Sequence, residues 1–201
     1  MASRVDICNQ ALAAVGANRI ESIDEDSVAA RECALAFDGV VADLLERHEW
    51  GFASARVTLA VVPNARPDEW LYAYARPANA ASLRRVIWPG RRCAAALGAL
   101  RFIADGTTIY TNVEGALIDY VRSDVQPGEM TALFARAVAY ELAVRIAMPL
   151  RKDRGIVGDM VRFSERARAE AMADDANRNP RIAPAYVSEV ELAREGWFGP
   201  W

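Results

Sequence analysis

The sequence predicts an α+β fold: an antiparallel bundle of about four helices with a small antiparallel β region inserted between the second and third, and an extended C-terminal arm. Three observations predict it. Apolar residues recur at three- and four-residue steps from Ser3 to Glu49 and again from Glu129 to Asp175. Between them, residues 52–124 change to alternating runs broken by Pro, Gly and Asn. Beyond Asn177 the regular period is lost and the chain ends on "AREGWFGPW". Within the 201 residues the expected division is one domain over 1–176, with helices at 3–16, 27–49, 129–148 and 153–175 and the β insert at 52–124, followed by an arm over 177–201.

In chain order, Ser3 is placed to cap a first helix whose stripe is Val5, Cys8, Leu12 and Val15, with Gly16 as its stop. The connector "ANRIESIDEDS" sets Asp24, Glu25 and Asp26 before a second helix, where negative charge complements the helix dipole. Ala30, Ala34, Phe37, Val41, Leu44, Leu45 and His48 form that helix's apolar face. Strands are expected at Phe52–Val62, Trp70–Ala75 and Ser82–Trp88. "RFIADGTTIYTN" has Asp105-Gly106 between two β-prone runs, the pattern of a tight hairpin, and "LIDYVRS" supplies a further strand. Helical period returns in "MTALFARAVAYELAVRIAM", which Pro149 is expected to close. A fourth helix follows with Ile156, Met160, Phe163 and Ala167 as its inner stripe. Clustered strands between helical halves favour α+β over a parallel sheet.

Composition sets bounds on function. No run approaches the roughly 18 apolar residues of a membrane span, and the N-terminus reads as a first helix rather than a leader. Cys8, Cys33 and Cys93 lack metal-ligand spacing and read as small buried residues of a reducing compartment. The net charge of −3 is unevenly spread: residues 1–60 hold 5 basic and 10 acidic side chains, residues 61–112 hold 7 and 3, and residues 113–201 hold 12 and 14. Lys152 is the sole lysine, so the positive charge is nearly all guanidinium.

Candidate chemistry is sparse. His48 is the one imidazole, which restricts His-based triads and His-rich metal sites, and it reads as a packed or capping residue. No phosphate-binding glycine loop, nucleophile elbow or calcium loop occurs. Catalytic, cofactor and metal residues are therefore expected to be absent. Trp50, Gly51 and Phe52 instead read as a hinge between helix and sheet. Arg84, Arg85, Arg91 and Arg92, with Trp88 among them, are a candidate contact to DNA or to a neighbouring subunit. Tyr186, Val187, Trp197, Phe198 and Trp201 are large residues at a chain end that is usually polar, and residues of this type anchor protein interfaces.

The stretch "CNQALAAVGANRIESIDEDSVAARECALAFDGVVADLLERHEWGFASARVTLA" resembles the opening of the head-to-tail adaptor family of tailed bacteriophages and gene transfer agents. It carries Asn9, Ala11, Leu12 and Gly16 on a short helix, an acidic connector, and a helix closing on Trp50 and Phe52. "LYAYARPANAASLRRVI" and "LFARAVAYELAVRIAMPL" resemble later elements of that family, and the resemblance spans about residues 5–175. It departs at Pro77-Ala78-Asn79, where the family pattern has an acidic residue after the proline. The resemblance implies a structural virion protein of the neck, assembled in the host cytoplasm. About twelve copies would form a closed ring, which needs two complementary patches per copy. The ring would bind the portal protein through the C-terminal arm and receive the next tail component, a nozzle or tail terminator or tube protein. DNA would pass through its lumen without specific binding, and no membrane or cofactor is implied. Two alternatives stand beside it: a peptidoglycan-degrading tail enzyme using Glu46 and Glu49, and a DNA-binding module using the arginine group.

Overall fold

The computed structural model describes residues 2–89 and 100–179. Over these the protein is a mixed fold of four helices and two small antiparallel sheets. The helices are α1 (Arg4–Ala14), α2 (Val28–Arg47), α3 (Ala132–Arg151) and α4 (Arg154–Arg178); the strands, all between α2 and α3, are β1 (Ser54–Thr58), β2 (Tyr72–Ala75), β3 (Ala80–Ile87), β4 (Phe102–Asp105), β5 (Thr108–Thr111) and β6 (Leu117–Arg122).

Local chemistry sets the helix limits. Ser3 and Asp6 close a capping box on α1, and the hydroxyls of Ser27 and Thr131 and the carboxylate of Asp153 accept amide protons in the first turns of α2, α3 and α4. At the far end of α1, Gly16 takes φ +70°, its amide reaches Ala13 O at 3.1 Å, and the Ala17 amide reaches Leu12 O at 2.9 Å. That pair of bonds is a Schellman stop, which satisfies carbonyls the helix leaves open. Pro149 does not close α3, contrary to the sequence expectation. The helix continues to Arg151, because a proline in the last turn removes a single backbone bond. The stop is Lys152, left-handed at φ 53°, whose amide returns to Met148 O at 3.0 Å.

The residues divide into two compact units. The first comprises Met1–Ala55, Asn79–Leu83 and Tyr120–Asn179. In it α3 packs against α1, α2 and α4. Its core joins Ile7, Leu12, Phe37, Leu44, Leu45, Trp50, Phe134, Leu142 and Ile146, all buried. The inner line of α4 is Met160, Ser164, Ala167, Ala171 and Asp175. Phe163, expected on that line, is half-exposed with its ring 5.9 Å from that of Tyr140. Small side chains fill the line where α4 lies against α3, and the aromatic ring is left to the flank.

The second unit comprises the described residues of Arg56–Ala78 and Arg84–Asp119. Strand β5 pairs antiparallel with β2 on one side and β4 on the other, with Tyr110 opposite both Ala73 and Ile103. Gly106, at φ +58°, opens the two-residue turn between β4 and β5, where a side chain would be strained. Tyr74, Ile109 and Thr111 are fully buried, and the Tyr74 hydroxyl donates to Val113 O at 2.7 Å. The second sheet has the order β1–β6–β3, so its central strand is the last in sequence. Among the described residues no helix is long and apolar enough to cross a membrane.

Candidate functional site

The joint at the end of α2 gathers more long-range contacts than its sequence suggests. His48 is the C-cap of α2 in extended conformation, and the chain then makes a 3₁₀ turn over Gly51–Ala53 before β1. Trp50 is buried, and its indole N–H donates to Leu44 O at 2.7 Å, satisfying a carbonyl near the helix end. Three rings close around it. Trp50 lies 4.7 Å from Phe134 and Phe52 lies 4.9 Å from Phe134, both edge to face, and His48 stands 4.8 Å from Trp50. Trp50 and Phe52 thereby fasten the exit of α2 to the first turn of α3.

Asp175, near the end of α4, holds the polar side of the joint. This buried carboxylate accepts the Gly51 amide proton at 2.9 Å and lies 3.3 Å from His48 Nε2. The Asn179 amide donates to the same carboxylate at 3.4 Å and lies directly over Gly51. A Cβ on residue 51 would stand 2.1 Å from Asn179 Nδ2, so a larger residue there would push the Asn179 side chain aside. Burying a carboxylate is costly unless donors surround it. Here a backbone amide, an imidazole and a carboxamide do so, which makes the joint a polar clasp.

A hydrolytic arrangement needs a nucleophile on the imidazole or two carboxylates sharing a cleft. Among the described residues the hydrogen-bond partner of the His48 imidazole is Asp175. Glu46 and Glu49 are both exposed. Among the described residues no group of His, Cys, Asp or Glu side chains is placed to hold a metal ion. Cys8 and Cys33 are free and fully buried, each hydrogen-bonded to the other. That bond and then burial push the Cys8 thiol well above its ordinary pKa, which suits an inert core residue.

Of the arginine group, Arg91 and Arg92 lie outside the described residues, as do Cys93 and the whole terminal set Tyr186, Val187, Trp197, Phe198 and Trp201. Arg84 is half-buried, whereas Arg85 is exposed on β3. Arg85 Nε donates to Asp119 at 2.9 Å, and Arg56 of β1 grips the same carboxylate with Nε at 2.6 Å and a second nitrogen at 3.0 Å. Asp119 thus sits between two guanidinium groups across three strands. Burial would raise its pKa, but the hydrogen bonds from Arg56 and then Arg85 hold it below the usual carboxylate range. An arginine engaged in this way has less to offer a phosphate.

Position 79 also has a structural partner set. The Asn79 amide donates to Asp124 at 3.0 Å, its side-chain oxygen accepts from Tyr120 at 3.1 Å, and its carbonyl accepts from the Ser123 amide at 2.7 Å. A carboxylate at 79 would face Asp124 without that donor. Asp175, Asn179, Arg56 and Asp119 gave no signal in the sequence, because each acts through partners far along the chain. No family model matches the chain, and no curated protein matches it in sequence.

Proposed function

We propose that this chain is a structural virion protein, a head-to-tail adaptor that joins a portal to the tail and extends the DNA channel. In this reading its four helices form an antiparallel bundle. The β region faces the tail side, the residues after α4, which runs to Arg178 and not to 175 as the sequence suggested, form the arm that wraps onto the portal protein, and about twelve copies close into a ring. The protein turns nothing over. DNA slides through the lumen, since a net negative chain offers phosphates little to hold.

One observation carries the reading. Several residues on which the family resemblance rests have structural roles in the helical unit. Asn9 clamps the acidic connector, Gly16 stops α1, and Trp50 with Phe52 fastens α2 to Phe134. A diffuse sequence likeness gains weight when its letters fall where the fold requires them. The order of two helices, a strand region and two helices agrees with it. Electron microscopy of the purified protein mixed with cognate portal rings tests the proposal. The expected result is an added ring of density coaxial with the portal. Bare portal rings at saturating protein, or release of cell-wall fragments by the protein that is lost on Glu46→Gln, would refute it.

A further inference from the structure

The core of the first unit holds a chemical pair that packing alone does not require. Cys8 on α1 and Cys33 on α2 are free, fully buried and hydrogen-bonded to each other. Ala11 and Ala30 fill neighbouring buried positions of the same helices without a reactive group. Residues 8 and 33 are far apart in sequence, so the fold, not local spacing, brings the two sulfurs together. Both helices lie against α3, and few residues join them directly to each other. One turn before Cys8, Arg4 makes one such link: its guanidinium reaches Asp38 at 3.2 Å and stands 4.7 Å from the centre of the Phe37 ring.

The two thiols are not equivalent. Cys8 holds its proton, by that hydrogen bond and then by burial, and donates it toward Cys33. The same bond holds the Cys33 thiol below its ordinary pKa, against burial and the nearby Glu32 carboxylate. Thiolate character decides which sulfur a peroxide meets first, and a second thiol in contact resolves the product. A disulfide needs its Cβ atoms about 4 Å apart and its sulfurs about 2 Å apart. Two thiols already in hydrogen-bond contact start near that arrangement.

We propose that Cys8 and Cys33 are a latent disulfide, a modification site that staples α1 to α2 when the protein meets a small neutral two-electron oxidant such as hydrogen peroxide. The Cys33 thiolate attacks one peroxide oxygen, the O–O bond breaks, and hydroxide leaves with a sulfenic acid formed on Cys33. Cys8 sulfur then attacks Cys33 sulfur, the S–O bond breaks, and the hydroxyl departs as water with the proton of Cys8. The hydroxide takes up the proton that Cys33 gave up, so two thiols are oxidised and one peroxide is reduced to two waters. Because both sulfurs are fully buried, the first step waits on a local opening that admits peroxide, and the reaction is slow. The bond closes a loop of about 25 residues, long enough for a cross-link to restrict the unfolded chain. The reduced pair is an ordinary piece of core; the oxidised pair ties α1 covalently to the bundle.

Hydrogen peroxide treatment of the full folded chain tests it, followed by alkylation of the remaining thiols in denaturant and trypsin digestion without reductant. Cleavage after Arg4, Arg19, Arg31, Arg47, Arg92 and Arg101 puts Cys8, Cys33 and Cys93 on separate peptides. The expected product joins peptides 5–19 and 32–47 with the loss of two hydrogens, in large excess over any link to Cys93. The same treatment of the denatured chain should spread the links over all three cysteines. The oxidised protein should melt about 5–10 °C above the reduced one, and dithiothreitol should reverse the shift. Cys93→Ser should keep the shift, whereas Cys8→Ala and Cys33→Ala should each abolish it; either suffices if the other fails to fold. Thiols that survive exhaustive oxidation would overturn the proposal, as would sulfinic or sulfonic acid at Cys33 without the link. So would links to Cys93 in equal yield from the folded chain, or a link that leaves the thermal midpoint unmoved.

Discussion

Asn9 shows how one side chain can fix a loop. On the second turn of α1, its amide nitrogen donates to Ile20 O at 2.9 Å and its oxygen accepts the Ile20 amide proton at 2.8 Å. The side chain thereby behaves as a strand partner for one buried residue of the acidic connector. Aspartate has nearly the same shape but no donor, and it would set a negative charge against the Ile20 carbonyl. Asn9→Asp should therefore cost about 2 kcal/mol, a bond lost and an acceptor left unpaired. In urea titrations the midpoint should fall with the slope unchanged. An unaltered midpoint would show that water replaces the amide. Gly51 makes the same point from the other side. A glycine in a turn suggests conformational freedom, but at position 51 it also lies against the side chain of Asn179.

At the scale of elements, Asp119 ties a sheet whose strands are far apart in sequence. It lies on β6, the central strand, and receives Arg56 from β1 and Arg85 from β3. Asp119→Asn keeps the shape and removes the charge, so it should cost about 1 kcal/mol at pH 7, the range of a charge-assisted pair partly open to solvent. The sign of its pH dependence follows from the lowered folded pKa. The contribution is fully present above the unfolded carboxylate value of about 3.9 and drops out as pH falls through the lower folded value. Stability curves of the two proteins should run apart at neutral pH and meet only in strong acid. Curves already meeting near neutrality would refute the tie. Helices were legible because caps and period are local: Ser3, Ser27 and Asp153 mark starts that the structure keeps within a residue or two. The facing of α4 was not, since Ser164, Ala171 and Asp175 on its buried line carry no apolar signal while the half-exposed Phe163 does. The strand order was hidden for a different reason. Pairing β6 between β1 and β3 depends on contacts that no local window contains, and the Asp175 clasp joins residues 124 and 127 positions apart.

For the whole molecule, the sharpest test of the adaptor reading lies in the last residues. Among the described residues the buried apolar core of the first unit ends at Ala171, and the clasp at the end of α4 is complete at Asn179. A chain cut after Ala185 thus retains that core and its closure, and it should fold. What it loses is Tyr186, Val187, Trp197, Phe198 and Trp201, a density of large side chains that in interfaces supplies most of the binding energy. The expected outcome is a truncated protein with the wild-type thermal midpoint that no longer cosediments with portal rings. The two readouts separate the causes. A fallen midpoint would place the terminal aromatics in the protein's own core. Undiminished cosedimentation would remove the arm from portal binding and move that role to the body of the chain.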